Sequence, residues 1–200
     1  MAYMTFPTTV YPEDAEWSNS ANSMVHTSPL TGAEDILELP GAKWVVSLSF
    51  KDMTDRESVL LEAFLTSCRG QARGFWLWNH RRPKPYGSAL GNPVVFGANQ
   101  TGGTLITNGW QANAQNVLLP GDFIGVGNEL KMVRYATTVN ADATGRAEIQ
   151  LEPPLRSSPA DGTVIVTDKP KALFRLTDDR NPYKYNGSLN NYSFTCQEWI

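Results

Sequence analysis

The sequence predicts a mainly β protein with one α-helix: a β-sandwich domain carrying an inserted small β-barrel or sandwich module. Three observations lead there. An alternating strand, a capped helix and an aromatic strand follow one another between Ala42 and Trp78. Short strand and turn units recur from Val94 to Asp168. After Pro170 the earlier alternating style returns.

Residues 1–41 hold Pro7, Pro12, Pro29 and Pro40 among scattered apolar residues. They read as an extended arm with little regular structure, laid on some other surface. Next, Trp44, Val46, Leu48 and Phe50 alternate with Val45, Ser47, Ser49 and Lys51, a period of two that buries one face of a strand. Thr54 followed by Glu57 is a capping-box pattern, and Leu60, Leu61, Phe64, Leu65 and Cys68 recur at helical spacing before Gly70 supplies a stop. In the strand Phe75–Trp78, Phe75 and Leu77 face one way and Trp76 and Trp78 the other. Both sides are apolar, so one must be covered by another element or another chain.

The stretch His80–Gly87, with two prolines and three cations, ends that strand and begins a loop. Gly127-Asn128 suits a tight hairpin between 122–126 and 129–135, and 140–145 forms a second turn before the strand 147–151. Strands 172–177 and 192–196 need partners, which the strands at Trp44 and Phe75 provide. The expected organisation is an arm (1–41), a discontinuous domain (42–93 plus 169–200) and an inserted all-β module (94–168). Local pairing around its turns makes that module autonomous, and its excision is expected to leave the host domain foldable.

The chain has 200 residues, enough for a substantial core, with 41% hydrophobic and 18% charged residues. A net charge of −3 gives no pull toward nucleic acid or an anionic membrane, and runs such as 117–120 and 164–166 are too short to span a bilayer. No secretory signal is expected. The cysteines, Cys68 and Cys196, read as buried free thiols or as one disulfide tying the helix to the last strand.

Little of the chain suggests chemistry. Ser88 in Gly-Ser-Ala-Leu-Gly sits one position early for a nucleophile elbow. His26 lies in a Ser- and Thr-rich segment, and His80 precedes Arg81 and Arg82, which oppose its protonation; both read as surface or hydrogen-bonding residues. Asp178 and Asp179 read as solvated turn acids, and 125–127 and 101–103 as turn glycines without the helix that phosphate cradling needs. No catalytic residue, metal or cofactor is expected. Arg81, Arg82 and Lys84 leave three readings open: a solvated loop, an intersubunit ion-pair site or a nucleic-acid contact. Most of the six tryptophans read as core or interface anchors; Trp110, beside Asn108 and Gln111, is the candidate for an exposed ligand-binding ring.

Gly41–Phe50, Glu57–Gly74, Phe75–Trp78, Gly97–Gly102, Leu119–Phe123, Leu151–Leu155 and Tyr192–Phe194, taken as an ordered set, resemble the tailed-phage minor tail proteins of the distal tail protein kind, a group shared with gene-transfer-agent tails. The resemblance implies a belt domain assembling as a hexameric ring at the distal end of the tail tube. It implies the tube protein and the tail-tip or baseplate hub as partners, a place in the virion tail after assembly in the host cytoplasm, and no catalysis. On that reading Trp76, Trp78, Arg81 and Arg82 are subunit-interface residues. Two other classes remain: a carbohydrate-binding or receptor-adhesion module using Asn108, Trp110 and Gln111, and a hydrolase with a triad or acid pair assembled in space.

Overall fold

The computed structural model describes residues 3–186 and 189–199. In chain order these form β1 (Met4–Thr5), β2 (Asp14–Ser20), β3 (Ser23–Thr27), β4 (Glu34–Glu38), β5 (Lys43–Met53), α1 (Asp55–Cys68), β6 (Phe75–Trp78), β7 (Gly91–Val95) and β8 (Gly102–Trp110). They continue with β9 (Phe123–Val126), β10 (Glu129–Val133), β11 (Ala147–Leu155), β12 (Ile165–Val166), β13 (Lys171–Leu176), β14 (Lys184–Asn186) and β15 (Leu189–Glu198). The fold is mainly β with one α-helix, a belt sheet packed on a barrel-like module, as the sequence predicts.

The belt sheet runs β1-β6-β13-β15-β5-β2, with β14 beside β15. Its inner face carries Trp44, Val46, Leu48 and Phe50 from β5, Phe75 and Leu77 from β6, and Phe174 and Leu176 from β13, all buried. Helix α1 covers part of that face with Leu61, Phe64, Leu65 and Cys68. Its start has the predicted capping box: the Glu57 N–H donates to Thr54 Oγ1 and the Thr54 N–H to Glu57 Oε2. Helix α1 ends through Arg69 (φ +51) and the predicted stop Gly70 (φ +61), both left-handed. One detail differs from expectation: Leu60 faces outward.

A second sheet, β12-β9-β10-β11-β8-β7, curls until Val94 and Val164 bridge its two ends, a nearly closed barrel with its own core of Leu105, Ile124, Ile149 and Leu151 among others. Its strands fall between Gly91 and Val166.

This module does not stand apart. Phe123 and Leu130 belong to the belt core, where Phe123 lies 5.4 Å from Trp44 and 6.1 Å from Trp17 between ring centroids. The Trp44 Nε1–H donates to the Leu130 carbonyl at 2.9 Å. Beside these rings sits a buried charge network. Glu198 of β15 takes both terminal guanidinium nitrogens of Arg156 at 2.8 Å each and also accepts the backbone N–H groups of Trp44 and Leu130. Glu129 takes the Lys131 ammonium at 2.6 Å along with the Ser157 hydroxyl and the Arg156 N–H. Lys131, fully buried, completes its bonding at the Pro154 carbonyl. Every charge has partners, which is what makes burial of four ionised groups tolerable. The module's local turns form as expected, and it also contributes Phe123 and Leu130 to the belt core.

The arm is corrected. Residues 14–20 form edge strand β2, paired to β5 from Asp14↔Ser49 to Ser20↔Lys43, and 23–38 hold the β3–β4 hairpin. Phe6 and Val10 are buried in the belt core. Proline spacing and sparse apolar residues hid this because edge strands and two-stranded hairpins need no apolar face of their own.

Three outcomes are expected. Glu198→Ala leaves the Arg156 guanidinium buried without its main partner and should lower unfolding free energy by about 3–5 kcal/mol. Glu13→Ala, which breaks the exposed Lys51–Glu13 pair, should cost about 0–1 kcal/mol; urea unfolding measures both. Replacing residues 91–168 with a short linker should abolish the cooperative transition of the belt, because Trp17 and Trp44 lose the cover of Phe123 and Leu130.

Candidate functional site

The residues singled out in the sequence fall in three places. Trp78 is only 7% exposed, packed 4.8 Å from the His80 ring with the Lys169 ammonium 6.0 Å over its indole. Its expected role at a subunit interface is corrected: the second apolar side of β6 is covered at this position from within the chain. Trp76 is half-buried on the same face, edge-on to Tyr3 at 6.2 Å and beneath the Lys171 ammonium at 5.5 Å.

Trp110 is 4% exposed, within the barrel core, and its Nε1–H donates to Thr107 Oγ1 at 2.8 Å. Period two from Leu105 and Thr107 places Trp110 outside. Gly109, at φ +84, breaks the pleat and returns the indole to the interior. A Cβ there would sit 2.4 Å from the Asn92 carbonyl, so only glycine allows the approach. Asn108 is half-buried and Gln111 exposed, so the three do not converge on one surface with an aromatic platform. That candidate ligand site is corrected.

His80 departs furthest from its surface reading. Its ring packs against Phe6 at 5.6 Å, Tyr11 at 5.8 Å and Trp78, and neither ring nitrogen has a hydrogen-bond partner among the described residues. Burial drives its pKa down to about 4. The imidazole thus holds the N-terminal segment against the end of β6 as a neutral ring. His26 lies opposite Asp35 in the exposed hairpin. Cys68 and Cys196 are free and buried; burial raises both thiols, Cys68 to about 12. Asp178 and Asp179 are solvated, receiving the Arg180 and Gln71 N–H groups.

What remains on the surface is a set of exposed cations and exposed apolar side chains. Arg81, Arg82 and Lys84 are exposed, and none forms an ion pair among the described residues. Tyr86 and Tyr11, 77% and 67% exposed, flank them. At the other edge of the belt sheet the β3–β4 hairpin is exposed along its whole length. Met24, Val25, Ile36 and Leu37 are between 53% and 66% exposed, and Leu30 at its tip reaches 94%. The cross-strand pairs Met24↔Leu37 and Val25↔Ile36 put one apolar couple on each face.

Sequence reasoning missed this hairpin, although two signals carried it. Gly32 lies between two five-residue runs that each hold an adjacent apolar couple. The chain also segregates charge: residues 1–42 contain no Lys or Arg, and residues 63–121 contain no Asp or Glu.

The His80 contact sets a pH dependence. Its pKa is about 4 folded against 6.5 as an ordinary histidine, so between those values the unfolded chain binds a proton that the folded chain refuses. Stability therefore falls as pH drops from about 6.5 toward 4. His80→Phe should flatten that part of the profile, read as the urea midpoint at each pH; an unchanged slope would remove His80 as its source.

No protein-family model matches the chain, and no curated protein matches it either. A functional reading stands on what these residues display.

Proposed function

We propose that the chain is a structural subunit that assembles with copies of itself into a ring at the distal end of a phage-type tail tube, joining the tube to the tail-tip or baseplate hub. One observation carries the self-assembly: the β3–β4 hairpin. Two strands in water are marginal on their own, and this pair holds its apolar couples in solvent on both faces. Such an element gains its stability by being covered. The chain just after the hairpin is tied to the body, because Arg156 of the Glu198–Arg156 pair also donates to the Ala42 carbonyl at 3.1 Å. A packed body with a projecting apolar element suits an assembly subunit. The tail, the tube and the hub come from the resemblance in the ordered motifs, and six copies likewise.

The adhesion alternative loses its aromatic platform with Trp110 inside the barrel.

The purified chain should appear by mass photometry at a fixed multiple of its 22.1 kDa mass, six-fold on the ring reading, and as annuli in negative stain. A chain that stays at the single-copy mass through the micromolar range would overturn the ring. Annuli that fail to bind purified tail tubes would leave assembly standing and remove the tail assignment.

A further inference from the structure

We propose that the β3–β4 hairpin of one copy docks on the basic loop 79–86 of the next, so that copies join edge to edge and head to tail. The inference rests on the ring reading and names the two surfaces that would make it.

Charge complementarity is the first support. Glu34, Asp35 and Glu38 on the hairpin are exposed, and none has an ion-pair partner among the described residues. Arg81, Arg82 and Lys84 on the loop are in the same condition. The hairpin belongs to a stretch with no cation, residues 1–42, and the loop to a stretch with no acid, residues 63–121. Neither surface can satisfy its charges from its own neighbourhood in sequence, while each carries what the other lacks. Their apolar content matches as well. Leu30 and the Met24↔Leu37 and Val25↔Ile36 couples would meet Tyr86 and Tyr11, which flank the cations.

Sheet register supplies the second support. One row of the belt sheet runs Ser18↔Val45, Val45↔Gln197, Gln197↔Arg175. Two positions toward one end of the sheet, β2 and β5 reach Ser20↔Lys43, where the hairpin leaves. On the far side the same displacement leads along β13 to Leu173↔Trp76 and then Lys171↔Trp78, where β6 runs into the basic loop. Hairpin and loop therefore emerge at the same end of one sheet, the hairpin from edge strand β2 and the loop from β6, next to the two-residue edge strand β1 on the far side. Copies set side by side with their sheets in the same orientation bring the hairpin of each level with the loop of its neighbour. This is a heterologous contact, the kind that closes into a ring when the rotation between copies allows. A hairpin-to-hairpin pairing would instead set acid against acid.

The stem offers a clean way to remove the element. The Leu39 N–H donates to the Asn22 carbonyl at 2.7 Å, so a short turn can join these residues in place of 23–38. That chain should keep the wild-type urea transition and run at the single-copy mass.

Charge reversal is the sharper test. One variant carries Glu34→Lys, Asp35→Lys and Glu38→Lys; the other carries Arg81→Glu, Arg82→Glu and Lys84→Glu. Each alone sets like charges together and should assemble at least tenfold more weakly than wild type at low salt. The deficit should shrink near 1 M salt, where the screening length falls to about 3 Å. Mixed in equal amounts, the two variants can alternate around a ring with every contact opposite in sign, and the wild-type mass should return. A hairpin-less chain that still forms the wild-type multiple, or a mixture no better than its components, would overturn this docking while leaving the ring in place. A wild-type chain that never leaves 22.1 kDa would overturn both.

Discussion

The bidentate pair between Glu198 and Arg156 is the contact on which the rest of the molecule depends. It lies where the last belt strand meets the module, and a single carboxylate there answers a guanidinium and two backbone N–H groups drawn from both units. A buried ion pair seldom adds net stability over a well-packed apolar substitute, because desolvation offsets most of the attraction. What it does well is penalise every other arrangement. Sliding the module along the sheet would part Arg156 from Glu198 in a dry environment, while Glu129 and Lys131, both in the module, would keep their own pair. Burial alone pushes the Glu129 carboxyl up, yet Lys131, Ser157 and the Arg156 N–H outweigh it and hold the group below its usual range. Arg156 is held above its usual range by the facing carboxylates, while burial pulls Lys131 below its own.

From that joint follows the asymmetry of the belt sheet. The inner face is closed by α1 and, further along, by Phe123 and Leu130 of the module. The outer face carries Ser47, Ser49, Ser193 and Thr195 between the acids of β2, Asp14 and Glu16, and Arg180 across a shallow polar groove. Away from Trp76, Trp78 and Leu173 that side is largely polar. Unmet apolar surface is concentrated instead on the hairpin, whose base the same network pins through Ala42. The root is tied down and the tip exposed.

The N-terminal segment shows how few residues can order a stretch without regular structure. Phe6 packs edge-on to Phe64 at 5.3 Å and against Phe50 and His80, so one ring ties the segment to α1, β5 and the loop after β6. A neutral histidine suits that position because an imidazolium would face aromatic rings with no carboxylate partner among the described residues.

Much of the architecture was legible in the chain itself wherever the signal was local. Period two in Trp44–Phe50, the Thr54 and Glu57 reciprocal cap, and Gly127 at its left-handed turn each depend on residues within a few positions of one another, and each formed as read. Charge segregation between residues 1–42 and 63–121 was equally present in the sequence. Its meaning was not, because only strand pairing decides that the acidic hairpin after β2 and the basic loop after β6 leave the same end of one sheet. Trp110 turned inward through one glycine's φ, Trp78 was covered by the nearby His80 and by Lys169 from a distant segment, and the module gave two residues to the belt core. Local preference and periodicity act over one element and are written in it. Which surface an element finally buries is settled by contacts between residues tens of positions apart, and those exist only once the chain has closed on itself.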